Sequence, residues 1–297
     1  MNCQFGLCRM MGKRNSQEDS FLVSKEKNLF GVFDGHKGAK ASKFASEEFQ
    51  AIFEKELETN QNIGQVLVQS FEKLDQKYLQ NWIENGRFDG STAIVVVVYK
   101  NKLHIASAGD SQAIMVRGGH VILKSPVHCL AKNSKEIERI LGFGNRIYFD
   151  HINYTDGGCA TCCDMDKEQY DEIKSNIDHT KPSCPIFMEG RNAYDGSGNA
   201  YDGGTSVSRS IGHFNFKNNG MIATPETVGD IEIQSGDIVI IGSNGLWDVF
   251  THEKAIKFVE NQMAVWRNNT QRACNDLVQE AFHFGSRDNI TAIVIKF

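Results

Sequence analysis

Short apolar runs that open into an acid or a Gly-acid pair recur along this chain and constrain what it can fold into. Leu29 to Phe33 ends on Asp34-Gly35-His36, and Asp89-Gly90-Ser91-Thr92 leads into Ala93 to Tyr99. Ala108-Gly109-Asp110-Ser111 lies between two further runs, and Ser286-Arg287-Asp288-Asn289 precedes Ile290 to Phe297. Runs of this length, bounded by turn residues, read as buried strands. A carboxylate leaving the end of a strand escapes the core, so acids placed this way can converge on one ion. Arg14-Asn15-Ser16-Gln17-Glu18-Asp19 adds two adjacent carboxylates with a guanidinium shortly before them. Oxygen donors of this kind suit hard ions such as Mg²⁺ or Mn²⁺ rather than zinc. Taken singly, each acid reads as a turn or edge residue, since Asp-Gly is a common turn pair. Five such places in one chain argue against that reading.

The glycine beside Asp34 lets a backbone carbonyl approach the same ion, and His36 can exchange a proton near neutral pH. Two structural alternatives stand beside these roles. Arg14 can form an ordinary ion pair with Glu18, and His36 can simply begin the following helix.

Ala41, Phe44, Ala45, Ile52 and Phe53 share a helical face, as do Ile63, Leu67, Phe71, Leu74 and Tyr78. The spacing predicts two long helices, about 38–58 and 62–85, whose apolar stripes pack on the core. Strands are expected at Thr92–Tyr99, Lys102–Ala108, Gln112–Arg117 and His120–Leu123, then a short helix near Lys135–Leu141. The second half adds strands at Thr227–Ile233 and Asp237–Gly242, helices near 251–262 and 270–284, and a last strand at Ile290–Phe297. Runs of strands interleaved with paired helices, without strict alternation, indicate an α+β layered fold. One segment, 150–204, lacks periodicity and is rich in Gly, Asn, Asp and Cys. It repeats Asn-Ala-Tyr-Asp-Gly at 192–196 and 199–203, and its Asp-Gly pairs predict a looped subdomain rather than a calcium site. Cys159, Cys162, Cys163 and Cys184, with His151 and His179, include one Cys-x-x-Cys spacing but no matching second pair. They read as thiols with no ligand role ahead of a structural zinc site. Cys3, Cys8, Cys129 and Cys274 are scattered and read as structural.

The 297 residues suffice for one large domain or two small ones, with a substantial core available. A net charge of −5 offers no electrostatic footprint for nucleic acid. No apolar stretch approaches a membrane span, and residues 1–20 are too polar for a secretory signal. With eight cysteines and no such signal, the expected setting is reducing, cytoplasmic or nuclear. A monomer is expected.

The stretches Arg14 to Asp19, Val32 to Gly38, Asp89 to Ala93, Gly109 to Ser111, Ser206 to Gly212, Gly245 to Asp248 and Ser286 to Asn289 occur in a telling order. Together they resemble the metal-dependent protein serine/threonine phosphatases of the PPM (type-2C) family, over nearly the whole chain apart from 150–200. The resemblance implies one phosphatase domain over 1–297, with two packed antiparallel sheets, helix pairs on both outer faces and a mobile flap, here expanded, at 150–204. It implies phosphoprotein substrates and hydrolysis by water activated between two Mg²⁺ or Mn²⁺ ions, with a weaker third. By the same resemblance Asp34 bridges both ions. Glu18 and the Gly35 carbonyl complete one site, and Asp19 holds a coordinated water. Asp288 binds the other ion, and Asp110 helps hold the third. Arg14 binds the substrate phosphate, and His36 protonates the departing oxygen.

Three positions depart from that pattern. Asn244 stands where the family supplies a second carboxylate beside Asp288, which removes one negative charge while leaving an oxygen donor. Gly212-His213 replaces a Gly-Asp, and Val127-His128 replaces an Asp-His. The retained residues favour an active phosphatase. The alternative is a pseudophosphatase that keeps the fold as a phosphoprotein-binding or scaffolding module. A metal-dependent nuclease fits poorly, because no basic groove accompanies the acids.

Overall fold

The central strands are buried on both faces, which is why they read as unbroken apolar runs. In Ala93–Tyr99, Ala93, Val95 and Val97 pack beneath helices, whereas Ile94, Val96 and Val98 face a second sheet. The computed structural model describes residues 3–82, 89–145, 147–153, 159–176, 185–187 and 205–297. Among these, two five-stranded sheets form a sandwich, each built of antiparallel pairs. One runs in the order Gln4–Met10, Ile290–Lys296, Ile238–Gly242, Gln112–Arg117, His120–Lys124. The other runs Glu226–Glu232, Lys102–Ala108, Ala93–Tyr99, Leu29–Phe33, Ser20–Ser24. Phe30, Val32, Ile105, Met115, Val239, Ile241 and Ile293 fill the space between them.

Each outer face is closed by a helix pair. Lys40–Thr59 and Ile63–Trp82 bury Phe49, Phe53, Leu67, Phe71 and Leu74 against the second sheet. His252–Val265 and Thr270–His283 bury Ile256, Val259, Leu277 and Val278 against the first. The latter two helices begin at Thr251 and Asn269, whose side chains accept the Lys254 and Arg272 backbone N–H groups at 3.3 and 3.0 Å. None of the described helices is long and apolar enough to cross a membrane. The architecture is the α+β sandwich expected from the sequence, and the predicted helix ends lie within a few residues of those observed.

The described parts of segment 150–204 include strands and a helix that its sequence does not suggest. Ile147–Asn153 pairs antiparallel with both Cys159–Met165 and Pro185–Phe187. Lys167–Ile173 forms a helix started by a capping box between Asp166 and Gln169. Ile147 and Tyr170 bury against Leu130, Ile137, Ile140, Val207, Phe216 and Met221, a small core of their own. These strands show no clean alternation in the sequence, and the Asp-Gly pairs on which the looped reading rests lie outside the described residues. The side chains of His151, Cys159, Cys162 and Cys163, with His179, Cys184 and the repeat at 192–203, lie outside the described residues. Elsewhere Cys3, Cys129 and Cys274 are buried and Cys8 is half-buried.

Candidate active site

Strand register brings the acids to one end of the sandwich. Ser20 pairs with Phe33, so Asp19 and Asp34 flank the same edge, and Ala93 pairs with Ala108, which places Thr92 beside Gly109-Asp110. In the other sheet Gly242 pairs with both Ala292 and Gln112, while Met10 pairs with Ile290. The segments carrying Asn244, Asp288 and Arg14 therefore leave their strands at that end too.

Asp34 is held by its backbone. The Thr92 N–H donates to the Asp34 carbonyl at 2.9 Å, and the Ser91 hydroxyl donates to the same oxygen at 3.1 Å. Asp19 is nearly fully buried, and its Oδ2 accepts the Thr291 hydroxyl at 2.6 Å. Several buried polar atoms at this end have no hydrogen-bond partner among the described residues: Asp19 Oδ1, Asp34 Oδ2, Asp110 Oδ1, Asn244 Oδ1 and His36 Nδ1. A buried oxygen without a donor is costly unless something else satisfies it. The titration of the acids agrees. Burial, opposed by the Thr291 hydrogen bond, pushes Asp19 up to about 6. Burial, then the charges of Asp19, Asp110 and Asp288, pushes Asp34 well above the usual carboxylate range. Asp110 is also raised, chiefly by burial. These are hard oxygen donors whose ionised forms need positive charge, and they fit Mg²⁺ or Mn²⁺.

The remaining predicted ligands engage other groups. Glu18 accepts the Ser16 hydroxyl at 2.9 Å and the Gly38 N–H at 3.0 Å. Asp288 takes Arg14 Nη2 at 2.7 Å, so Arg14 pairs across the chain and not with its near neighbour Glu18. Among the described residues no three His, Cys, Asp or Glu side chains form a group that could enclose an ion. Gly35 lies between these acids. A Cβ there would overlap the Glu18 carbonyl oxygen and crowd that of Gly38, so only glycine fits.

His36 does not begin a helix. It sits in the two-residue strand Gly35–His36, which pairs with Gly90–Ser91, and the chain turns through a left-handed Lys37 at φ 61° before the helix at Lys40. Its ring faces that of His213 with centroids 5.8 Å apart. His213 is buried, and burial with the nearby His36 and Lys217 pushes it well below the usual imidazole range, leaving it neutral. Arg14, Glu18, Asp34, Gly35, His36, Lys37, His213, Asp288 and Asn289 line one cleft with Thr205 and Ser206 from the base of segment 150–204.

Asp89, read from the sequence among the acids able to converge on an ion, and Asn289, given no role there, instead prove to hold the site together. Asp89 Oδ2 accepts the Lys40 and Ala41 N–H groups at 3.1 and 3.0 Å, starting the helix that follows His36. Asn289 ties the Arg14–Glu18 loop to the last strand. Their signal was position alone, beside an acid or a strand start.

The chain matches the model of the protein phosphatase 2C family over residues 3–290. It is 27% identical over 299 residues to "Probable protein phosphatase 2C 59" of Oryza sativa subsp. japonica, covering 99% of this chain and 75% of that protein. Across eight of the curated relatives it matches, the chain spans from 38% to 79% of their length. Among solved structures, a C.elegans sex determining protein superposes with a TM-score of 0.75 at 18% identity, covering 100% of this chain and 65% of the other. A serine-threonine phosphatase 2C from Toxoplasma gondii gives 0.71 at 19% identity, covering 99% and 94%. At such identities these likenesses establish the shared fold.

Proposed function

The chain belongs to the protein phosphatase 2C family, and on that premise we propose that it hydrolyses phosphoserine and phosphothreonine in proteins using divalent cations at the acidic end of the sandwich. The observation that carries this reading is the set of donorless buried oxygens of Asp19, Asp34, Asp110 and Asn244, at the strand ends beside the cleft that holds Arg14 and His36. Glu18, Asp19, Asp34, the Gly35 carbonyl, Asn244 and Asp288 would hold two Mg²⁺ or Mn²⁺ ions, and Asp110 would help hold a weaker third. The chemistry such ions supply is activation of water near neutral pH and neutralisation of phosphate charge.

The chain's own groups do the rest. Arg14 is more than half exposed and uses one nitrogen on Asp288, which leaves its forked guanidinium with donors for a phosphate. His36 lines the same cleft with Nδ1 unbonded, and we assign it the proton that the leaving serine or threonine oxygen must receive. Asp89 and Thr92 fix the backbone on either side of the Asp34–His36 turn.

A second reading rests on Asn244, whose amide offers an oxygen without a charge: a pseudophosphatase that binds phosphoproteins without turning them over. Hydrolysis of a phosphothreonine peptide across Mg²⁺ and Mn²⁺ concentrations separates the two, with Asp34→Ala as the blank and Asn244→Asp as the comparison. Metal-dependent turnover abolished by Asp34→Ala supports the phosphatase. Turnover only in Asn244→Asp establishes the pseudophosphatase, and silence from both proteins removes the catalytic reading.

A further inference from the structure

His213 is fixed on every side, whereas the His36 ring it faces is only partly buried, and its buried Nδ1 has no hydrogen-bond partner among the described residues. The His213 backbone is left-handed at φ 52°, and its N–H donates to the Asp89 carbonyl at 3.0 Å. Its Nδ1 lies 3.0 Å from the Ser210 hydroxyl, and its ring meets the edge of Phe216 at 5.7 Å. The Gly90 backbone closes the remaining side so tightly that a Cβ there would overlap the imidazole.

That arrangement is anchored further back. Lys217 is paired with Asp75 at 2.9 Å and donates to the Ser210 carbonyl at 2.7 Å, while Asp75 accepts the Gly212 N–H at 2.7 Å. Both members of the ion pair are largely out of solvent, so the geometry is stiff and costly to break. Lys37 extends its ammonium over Phe216 at 5.2 Å, so the same short turn also contacts the residue after His36.

We propose that His213 is a positioning residue for His36: an immobile ring that limits the His36 imidazole to the orientation from which it protonates the leaving oxygen. The inference rests on the phosphatase reading above. A group that positions a general acid matters most when the leaving group is a poor one. Alkoxide leaving groups need the proton, and p-nitrophenolate leaves without it.

The test compares a phosphothreonine peptide with p-nitrophenyl phosphate, under Mn²⁺, in native protein, His213→Asn, His36→Ala and the double variant. Asparagine tolerates the left-handed backbone but removes the ring. His36→Ala is expected to lower peptide turnover by about 100-fold and to affect the aryl ester far less. His213→Asn is expected to shift the peptide-to-aryl ratio in the same direction by about tenfold, with no further shift in the double variant. Equal losses on both substrates, or shifts that multiply in the double variant, overturn the proposal. A ratio untouched by His36→Ala overturns it too, by removing the general acid. Carbon relaxation of the His36 ring gives a readout independent of turnover. Greater ring mobility in folded His213→Asn supports the proposal, and unchanged mobility overturns it even if no substrate is hydrolysed.

Discussion

Asn289 accepts the Glu18 backbone N–H on its Oδ1 at 2.8 Å and donates its amide nitrogen to the Met11 and Ser16 carbonyls at 2.8 and 2.9 Å. One buried amide thus holds the loop carrying Arg14 and Glu18 against the strand start carrying Asp288. Asn289→Ala leaves an N–H and two carbonyls without these partners, at an expected cost of about 2–4 kcal/mol. Asn289→Asp sets a carboxylate oxygen against the two carbonyls and should cost no less. Urea unfolding measures both, and a loss below about 0.5 kcal/mol, the level of an ordinary surface change, rules out the clamp.

Asn289 also shows where reading the sequence stops. Doubly buried strands were legible because each needs an apolar side chain at every position, and the helices because their stripes face one sheet. The acids gathered at one end of the sandwich were legible as types at strand ends. Their partners were not. Glu18 and Asn289 are 271 residues apart, and Ala41 and Asp89 are 48 apart. Arg14 had an acid four positions away, yet register places it on Asp288, 274 positions distant. Hydrogen bonds of that separation follow from strand pairing and leave no periodic trace. The alternative that His36 begins a helix stayed open for the same reason, since the Gly35–His36 bridge to Gly90–Ser91 is invisible in local spacing.

Asp89 caps a helix from a distant part of the chain. Its Oδ1 accepts the Tyr78 hydroxyl at 2.8 Å, and burial together with this carboxylate pushes the phenol up. Its other oxygen meets two N–H groups in the first turn of Lys40–Thr59, where a negative charge also suits the helix dipole. Asp89→Ala should cost about 2–3 kcal/mol and Tyr78→Phe about 1 kcal/mol. The double variant should cost less than their sum, because the two changes remove one shared bond. Chemical denaturation of the four proteins checks this, and simple additivity rejects the coupling.

The acidic end should trade stability for function. Asp34 favours its protonated form in the folded state, so ionisation there opposes folding as pH rises past the ordinary carboxylate range. Asp34→Asn, in the presence of a chelator at neutral pH, is therefore expected to melt a few degrees above the native protein. Mn²⁺ should raise the native melting temperature, by an amount equivalent to about 2.7 kcal/mol at one hundred times its Kd, and should not move Asp34→Asn. In Asn244→Asp the added carboxylate should lower the Mn²⁺ Kd by about tenfold. Calorimetric titration reads the affinity directly, and equal affinity in the two proteins removes Asn244 from the ligand set.

His128 sets a pH dependence of known sign. It is fully buried, it accepts the Gly109 N–H on Nδ1 at 3.3 Å, and Arg209, Glu136, Arg139 and Glu226 surround it. Burial, reinforced by Arg209, pushes its imidazole down to about 4, against 6.5 for the free group. Between those values the unfolded chain takes up a proton that the folded chain refuses, so stability rises with pH there. The contribution is fully present above about pH 6.5 and is lost as pH falls through that window, to a total of about 3 kcal/mol. Raised carboxylates such as Asp19 act in the opposite sense over the same range, so the whole-protein curve mixes the two. His128→Gln keeps an acceptor for Gly109 and removes only this titration. The stability gap between native protein and His128→Gln should therefore narrow by about 2–3 kcal/mol between about pH 7 and pH 4.5. Ionisations remote from His128 cancel in that difference, so a gap that stays constant would mean the buried imidazole takes up its proton without resistance.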